Sequence, residues 1–256
     1  AYQVGDLATL FRLETRLTGR SEQLNIADVL AGKSTPEAMM AALAAFRDGA
    51  WSDPARHMLG AAQEAWLAEQ LRASTRGGTR WQVLVQQVLM GTLSTPTAFA
   101  DALPANAPES LRQRVIAGAM ATRAGLPFNM DAWDGYPAAR ARVFEAALAA
   151  DANLVVLAGD SHNAWGFDLA HEGAATGVEF GVSSVTSPGF ENYIAQVPPA
   201  MMQSALVGAN PQLKWADTSQ RGYMAVELTP QAATCEWRFV SGIRQRGTTL
   251  AGTHRM

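Results

Sequence analysis

The sequence has a single cysteine, Cys235, so it forms no internal disulfide and carries no multi-cysteine metal cluster. It has no basic field. Twenty Lys and Arg residues stand against 23 Asp and Glu, a formal net charge of −3, and there are neither acidic runs nor arginine tracts. A scaffold that grips nucleic-acid backbones needs such a field, and its lack argues against that class of partner. No stretch is apolar over the length that a bilayer-spanning helix requires, so no transmembrane segment is expected. The opening, AYQVGDLATLF, has neither an initiating Met nor the basic and apolar regions of a signal peptide. It reads as a chain entering an element already under way, although export processing also leaves an alanine at position one. Internal repeats and coiled-coil heptads are missing too.

What is present is an ordinary core composition, 48% hydrophobic, in a chain long enough to bury it. Residues 4–16 read as a strand running into a functional loop. Residues 34–47 read as a helix capped by Ser34 or Thr35 with Pro36 in its first turn. A second helix is expected over 60–74, with Trp66, Leu67 and Leu71 on one face. A Val/Leu run at 81–90 begins as a strand, loop sequence fills 91–108, and further helices fit 111–124 and 138–150. LVVLAG, 154–159, has the pattern of a central strand in an α/β protein. Strands at 164–171 and 177–187 follow, and the segments 222–230 and 234–242 form a late hairpin. Gly and Pro are spread along the chain, so residues 1–256 read as one α/β unit.

The chemistry concentrates after the central strand, at Gly159-Asp160-Ser161-His162-Asn163. Ligand sites in open α/β sheets collect beyond the carboxyl ends of their strands. An extended backbone there would project Asp160 and His162 to the same side. Carboxylate oxygen and imidazole nitrogen suit a borderline divalent metal or iron, and an imidazole can instead protonate a leaving group. A hydrogen-bonded loop aspartate beside an ordinary histidine fits a bare D-x-H as well. Two ligands do not complete a hydrolytic centre. His57, His171 and His254 have no spacing that makes them further ligands, His254 because it lies near a terminus expected to be loose. Arg16 has the directed donors to grip a phosphate, or to pair with a carboxylate. Trp133 and Tyr136 of the WDGYP segment either wall a substrate pocket or pack a helix-entry turn. Gln86 and Gln87 are expected to anchor loops through their amides.

Taken in order, GDLATLFRLETR (5–16), LGAAQEAWL (59–67), WQVLVQQVLM (81–90), WDGYPAAR (133–140), VVLAGDSHNAW (155–165) and NPQLKWADTSQRGYMAVELTP (210–230) resemble the later portion of the PhoD-like alkaline phosphatase and phosphodiesterase family. The resemblance implies a metallophosphatase-like core of layered β-sheets flanked by helices, and hydrolysis of phosphomonoesters or phosphodiesters. Asp160 and His162 match its late G-D-x-H metal motif. Arg16 matches the arginine of its L-D-T-R-like segment, in which Glu14 here replaces the shorter aspartate. The family's upstream G-D-P-like and D-D-H-E-like segments are missing from this chain. The resemblance therefore implies a C-terminal portion of one catalytic domain, incomplete without an N-terminal companion polypeptide that finishes the sheet core and the metal shell. It also implies divalent or trivalent metal ions, iron and calcium among them, a phosphoester substrate, and a periplasmic or secreted location. The different-class alternative is a non-catalytic assembly or binding subunit on the same scaffold.

Overall fold

The computed structural model describes residues 1–97, 99, 108–195 and 197–256. Its centre is a seven-stranded mixed sheet in the order β1-β2-β3-β4-β6-β5-β7. The strands are β1 (Tyr2–Val4), β2 (Ala8–Arg12), β3 (Trp81–Val85), β4 (Leu154–Ala158), β5 (Ala164–His171), β6 (Ala174–Gly181) and β7 (Leu213–Asp217). The four neighbours β2, β3, β4 and β6 run parallel, so their carboxyl ends come out along one edge. β5 is antiparallel to both β6 and β7.

Alternation along β4 assigns the two faces. Leu154, Val156 and Ala158 join a core with α3 (Ala61–Arg76), α5 (Pro137–Ala149) and α7 (Pro199–Ala209), through Leu67, Leu71, Val143, Phe144, Met202 and Leu206. Val155 points the opposite way, to a second core with Cys235, Trp237 and Phe239. Those three come from β9 (Ala233–Val240), the middle of a three-stranded antiparallel sheet completed by β8 (Gly222–Leu228) and β10 (Leu250–Arg255). The indole of Trp81 donates to Thr229 O (2.7 Å) and that of Trp237 to Gly181 O (2.8 Å), linking one sheet to the other. Cys235 lies wholly inside this second core, and burial pushes its thiol up to about 12. A satellite cluster under α1 (Ile26–Leu30), α2 (Pro36–Phe46) and α4 (Glu109–Arg123) is built on Leu43, Ala121 and Leu126. The layered α/β class expected from the sequence is what the chain forms. Among the described residues no helix is long and apolar enough to cross a membrane.

Several element boundaries differ from expectation for local reasons. Within 4–16 the strand that runs into the loop is β2 alone: Gly5-Asp6 is turn chemistry, and Leu7 N donates to Val4 O (3.1 Å), so β1 and β2 form a hairpin. β3 ends at Val85; beyond it Gln86 N still donates to Leu157 O (3.1 Å), and the Gln86 side-chain amide donates to Val88 O two residues on (2.5 Å). The strand expected over 177–187 begins at Ala174 and ends at Gly181. The loop expected over 91–108 falls partly outside the described residues. The chain end is not loose: β10 pairs with β9, and His254 stacks on Trp215 at 4.0 Å.

One buried carboxylate ties the helix-side core to the site edge. Glu179 of β6 is fully enclosed and accepts from Met90 N and Gly91 N, both at 2.7 Å, which fixes the chain leaving β3. Beside it Arg140 donates to Met90 O (3.1 Å) and to Asp134 (2.5 Å), whose other oxygen accepts from Leu93 N (2.9 Å). Burial, with nearby Asp134 adding to it, lifts Glu179 from the ordinary 4.5 to about 7, against the two backbone donors. The folded chain thus keeps a proton that the unfolded chain releases, so this group's contribution to stability falls as pH rises from about 4.5 to about 7. Glu179→Gln turns an amide NH2 against a backbone donor. It is expected to cost about 1–3 kcal/mol in urea unfolding and to remove that downward slope; a variant as stable as wild type with the slope intact would contradict the assignment.

Candidate functional site

The loop leaving β4 is shaped by the two residues between and after the candidate ligands. Ser161 Oγ accepts from Trp165 Nε1 (2.6 Å) and donates to Asn163 O (3.2 Å). Asn163, fully buried, donates to Ser161 O (2.7 Å) and accepts from Phe190 N (3.1 Å). With these side chains turned inward, the backbone bends. Asp160 and His162 both take left-handed conformations, φ 62° and 59°. Ser161 N closes on Gly159 O at 2.7 Å, a positive-φ γ-turn centred on Asp160. The extended presentation expected from strand periodicity is therefore replaced by a strained loop, of a kind that survives where its surroundings over-determine it and that clusters at functional sites.

Arg221 supplies much of that surrounding. Its side chain is only 6% exposed and holds Glu191 Oε2 (3.0 Å) through Nη2. Its Nη1 donates to the carbonyls of His162 and Ser187, the former through a very short contact. Gly189 completes the packing. A Cβ there would lie 2.4 Å from Asn163 Oδ1 and 2.6 Å from Arg221 Nη2, so only glycine fits without moving the clamp.

His162 Nδ1 lies 3.1 Å from Pro188 O. Since a carbonyl only accepts, Nδ1 carries a proton, and in the neutral ring the lone pair therefore lies on Nε2, the arrangement by which an outer carbonyl orients a metal-binding imidazole. Asp160 is 38% exposed, and Arg16 Nη1 stands 3.9 Å from its carboxylate. Arg16 is itself held by Asp131 at 2.6 Å, and Arg20 grips the other Asp131 oxygen at 2.5 Å. Burial alone would raise Asp131, but hydrogen bonds from Arg16 and Arg20 keep it ionised below the usual range. Of the two roles open to it, Arg16 takes the pairing with a carboxylate, through Asp131, and its exposed face lies toward Asp160.

The loop carrying Arg16 and Arg20 is held by neighbouring side chains. Gln87 Oε1 accepts from Thr15 N (3.0 Å) and Thr15 Oγ1 (2.6 Å), and Gln86 accepts from the Trp133 indole at 3.0 Å. Both amides anchor loops as expected. Gly19 sits where a Cβ would be 2.1 Å from Leu59 O, so the loop lies directly on the start of α3. Trp133 and Tyr136 are wholly enclosed, each 0% exposed. Tyr136 accepts from Arg20 Nε (2.8 Å) and donates to Ser21 O (2.9 Å). Tyr136 therefore stands beneath Arg20, Trp133 stands in the helix-side core, and neither ring faces an open wall. His57 pairs with Glu64 (3.0 Å) and His171 with Glu145 (3.6 Å), each apart from the Asp160 loop. Asp131, Arg20 and Arg221 were not foreseen; only the bonds they make distinguish them from surface residues.

Among the described residues no group of three or more His, Cys, Asp or Glu is placed to hold a metal ion. Asp160 and His162 have the right donor chemistry, and no protein hydrogen bond reaches the Asp160 carboxylate among the described residues, but they make an open, incomplete set. Glu14 does not add to it. Its carboxylate accepts from Arg16 N, Leu17 N, Thr18 N and Thr18 Oγ1 at 2.7–2.9 Å. Desolvation pushes its pKa up, but these donors prevail and bring it from the ordinary 4.5 down to about 2. A lowered value stabilises the fold above about 4.5 and loses that contribution as pH falls toward 2. Glu14→Gln is expected to lower Tm at pH 7 and to flatten the stability profile between those two values in calorimetry. An unchanged acid limb would contradict the capping role.

The model of the PhoD-like phosphatase family matches residues 1–237. Alkaline phosphatase D of Bacillus subtilis (strain 168) is 27% identical over 205 residues, which are 78% of this chain and 29% of that protein. A solved structure described as that of PhoD shares the fold, with a TM-score of 0.66 at 24% identity over 99% of this chain and 41% of the other. The chain thus spans less than half the length of either relative. With the family's match running from the first strand almost to the end of β9, the chain belongs to the PhoD-like phosphatase family.

Proposed function

We propose that the chain supplies one side of a metal-dependent phosphoester hydrolase site, completed by an N-terminal companion polypeptide, and that the assembly cleaves phosphomonoesters or phosphodiesters. The observation that carries this reading is the strained γ-turn at Asp160, which presents a carboxylate and a correctly oriented imidazole at the carboxyl edge of four parallel strands. Family membership supports the reaction class.

The two side chains fit a borderline divalent or trivalent ion, iron and calcium being the ones that kinship suggests. Asp160 and His162 Nε2 would hold it from this chain, the remaining donors coming from the companion. Such an ion polarises a phosphoryl oxygen and makes a water a better nucleophile at neutral pH. The other roles belong to this chain's own residues. Arg16, whose cation is stabilised first by its bond to Asp131, lies beside Asp160 and meets the negative charge that grows on the non-bridging oxygens. Arg20, steadied by Tyr136, holds Asp131 and so Arg16 in place; Trp133 secures the same edge through Gln86. Arg221 sets the carbonyl of His162, and Pro188 sets its ring. A periplasmic or secreted location follows the same kinship.

A non-catalytic binding or assembly subunit is the second reading. The incomplete donor set and the commitment of Glu14 to its own loop favour it. Phosphate release from mono- and diester substrates, with added metals, is to be measured for this chain alone and with any copurifying chain. Activity is expected only with metal and only in the assembly. Asp160→Gly is the informative variant: glycine accepts the left-handed backbone, so Tm should hold or rise while hydrolysis falls by a factor on the order of 100. An assembly that contains no metal by elemental analysis and releases no phosphate would establish the subunit reading.

A further inference from the structure

Behind the His162 loop lies an open cleft of about 1020 Å³ between residues 186–192, the turn at 219–221 and the β9–β10 connection. It borders the candidate site directly. Pro188, which orients the His162 ring, and Arg221, which holds the His162 carbonyl, both line it. Its charged lining is three arginines, Arg221, Arg244 and Arg246, against one glutamate, Glu191, in a chain whose net charge is negative.

The glutamate is already satisfied by Arg221. Arg221 in turn is nine-tenths buried, and its Nε has no hydrogen-bond partner. Arg244 and Arg246 are exposed and make no ion pair or hydrogen bond among the described residues. Two free guanidiniums two positions apart are donors without acceptors, whereas Ser219 and Gln220 across the cleft are committed to Asp217. Cationic clefts with low-dielectric walls concentrate anions, and guanidinium forks match phosphate oxygens.

We propose that this cleft is a second anion subsite, which takes a further phosphoryl group of the substrate beyond the one at Asp160 and His162. Resting on the hydrolase reading, the assignment makes the preferred substrate a molecule with at least two phosphoryl groups, with Arg244 and Arg246 as its specificity determinants. The β9–β10 connection is then a recognition loop, and the small sheet contributes to substrate choice as well as to the core.

Binding can be measured without turnover, by titrating inorganic triphosphate into the chain in the presence of a chelator. Wild type should bind, more weakly at higher salt. Arg244→Ala with Arg246→Ala should weaken binding about tenfold or more at unchanged Tm, and Arg244→Glu with Arg246→Glu should abolish it. No binding to wild type, or binding that survives loss of both arginines, would overturn the subsite. Because no metal or hydrolysis is involved, each of these results leaves the hydrolase reading to its own assay, and failure of that assay leaves the binding result standing.

Discussion

The chain turns on one backbone constraint: directly after the central strand, two non-glycine residues separated by one must both sit in left-handed conformations. An L-residue resists that geometry, so each neighbour of the loop contributes to holding it. Ser161 and Asn163 close it from within, Trp165 caps the serine from β5, and Arg221 reaches from the start of β8 to seize its carbonyl. The missing side chain of Gly189 makes room for that grip. What remains open is the Asp160 carboxylate and the Nε2 side of the His162 ring, whose other nitrogen rests on Pro188 O. The division of labour within GDSHN is thus physical: alternate residues fix the loop, and the others are left free.

A second polar layer lies beneath. Glu179, Arg140 and Asp134 bury charge in the helix-side core, and their common targets are backbone groups of residues 90–93. Buried ionisable groups are weak sources of net stability and better understood as fixing one arrangement among several. Here the arrangement fixed is the exit of β3, next to the β2 and β4 exits that carry Arg16 and Asp160. Glu14 does the same at the surface, gathering the amides of its own loop. The sheet's carboxyl edge is therefore held from below by a protonatable carboxyl and from above by an ionised one.

Much of this was legible beforehand. The apolar run 154–158 marked the central strand, Thr35-Pro36 marked the start of α2, and the alternation in 222–242 marked the small sheet. Asp160 and His162 stood out because they follow an apolar strand and a glycine, and Arg16 because it follows the first strand candidate. Strands β7 and β10 were not read, since Trp215 and His254 belong to short segments without clear periodicity. The left-handed loop was missed for a deeper reason. Periodicity describes a chain obeying its own ladder, whereas Ser161 and Asn163 overrule it with side-chain bonds inside the loop and with the bond from Phe190 N that only the fold brings near. Asp131 and Arg221 were invisible on the same ground: their partners are 110 and more, or 30 to 59, positions away.

The lone thiol offers an unplanned reporter. Cys235 faces the seam between the two sheets, shielded by Trp237 and Phe239, with its proton held far more tightly than that of a free cysteine. A thiol-reactive dye can reach it only when the sheets part, because the attacking species is the solvent-exposed thiolate. Labelling kinetics in native buffer would therefore clock the breathing of that seam, one residue at a time, with no engineered probe.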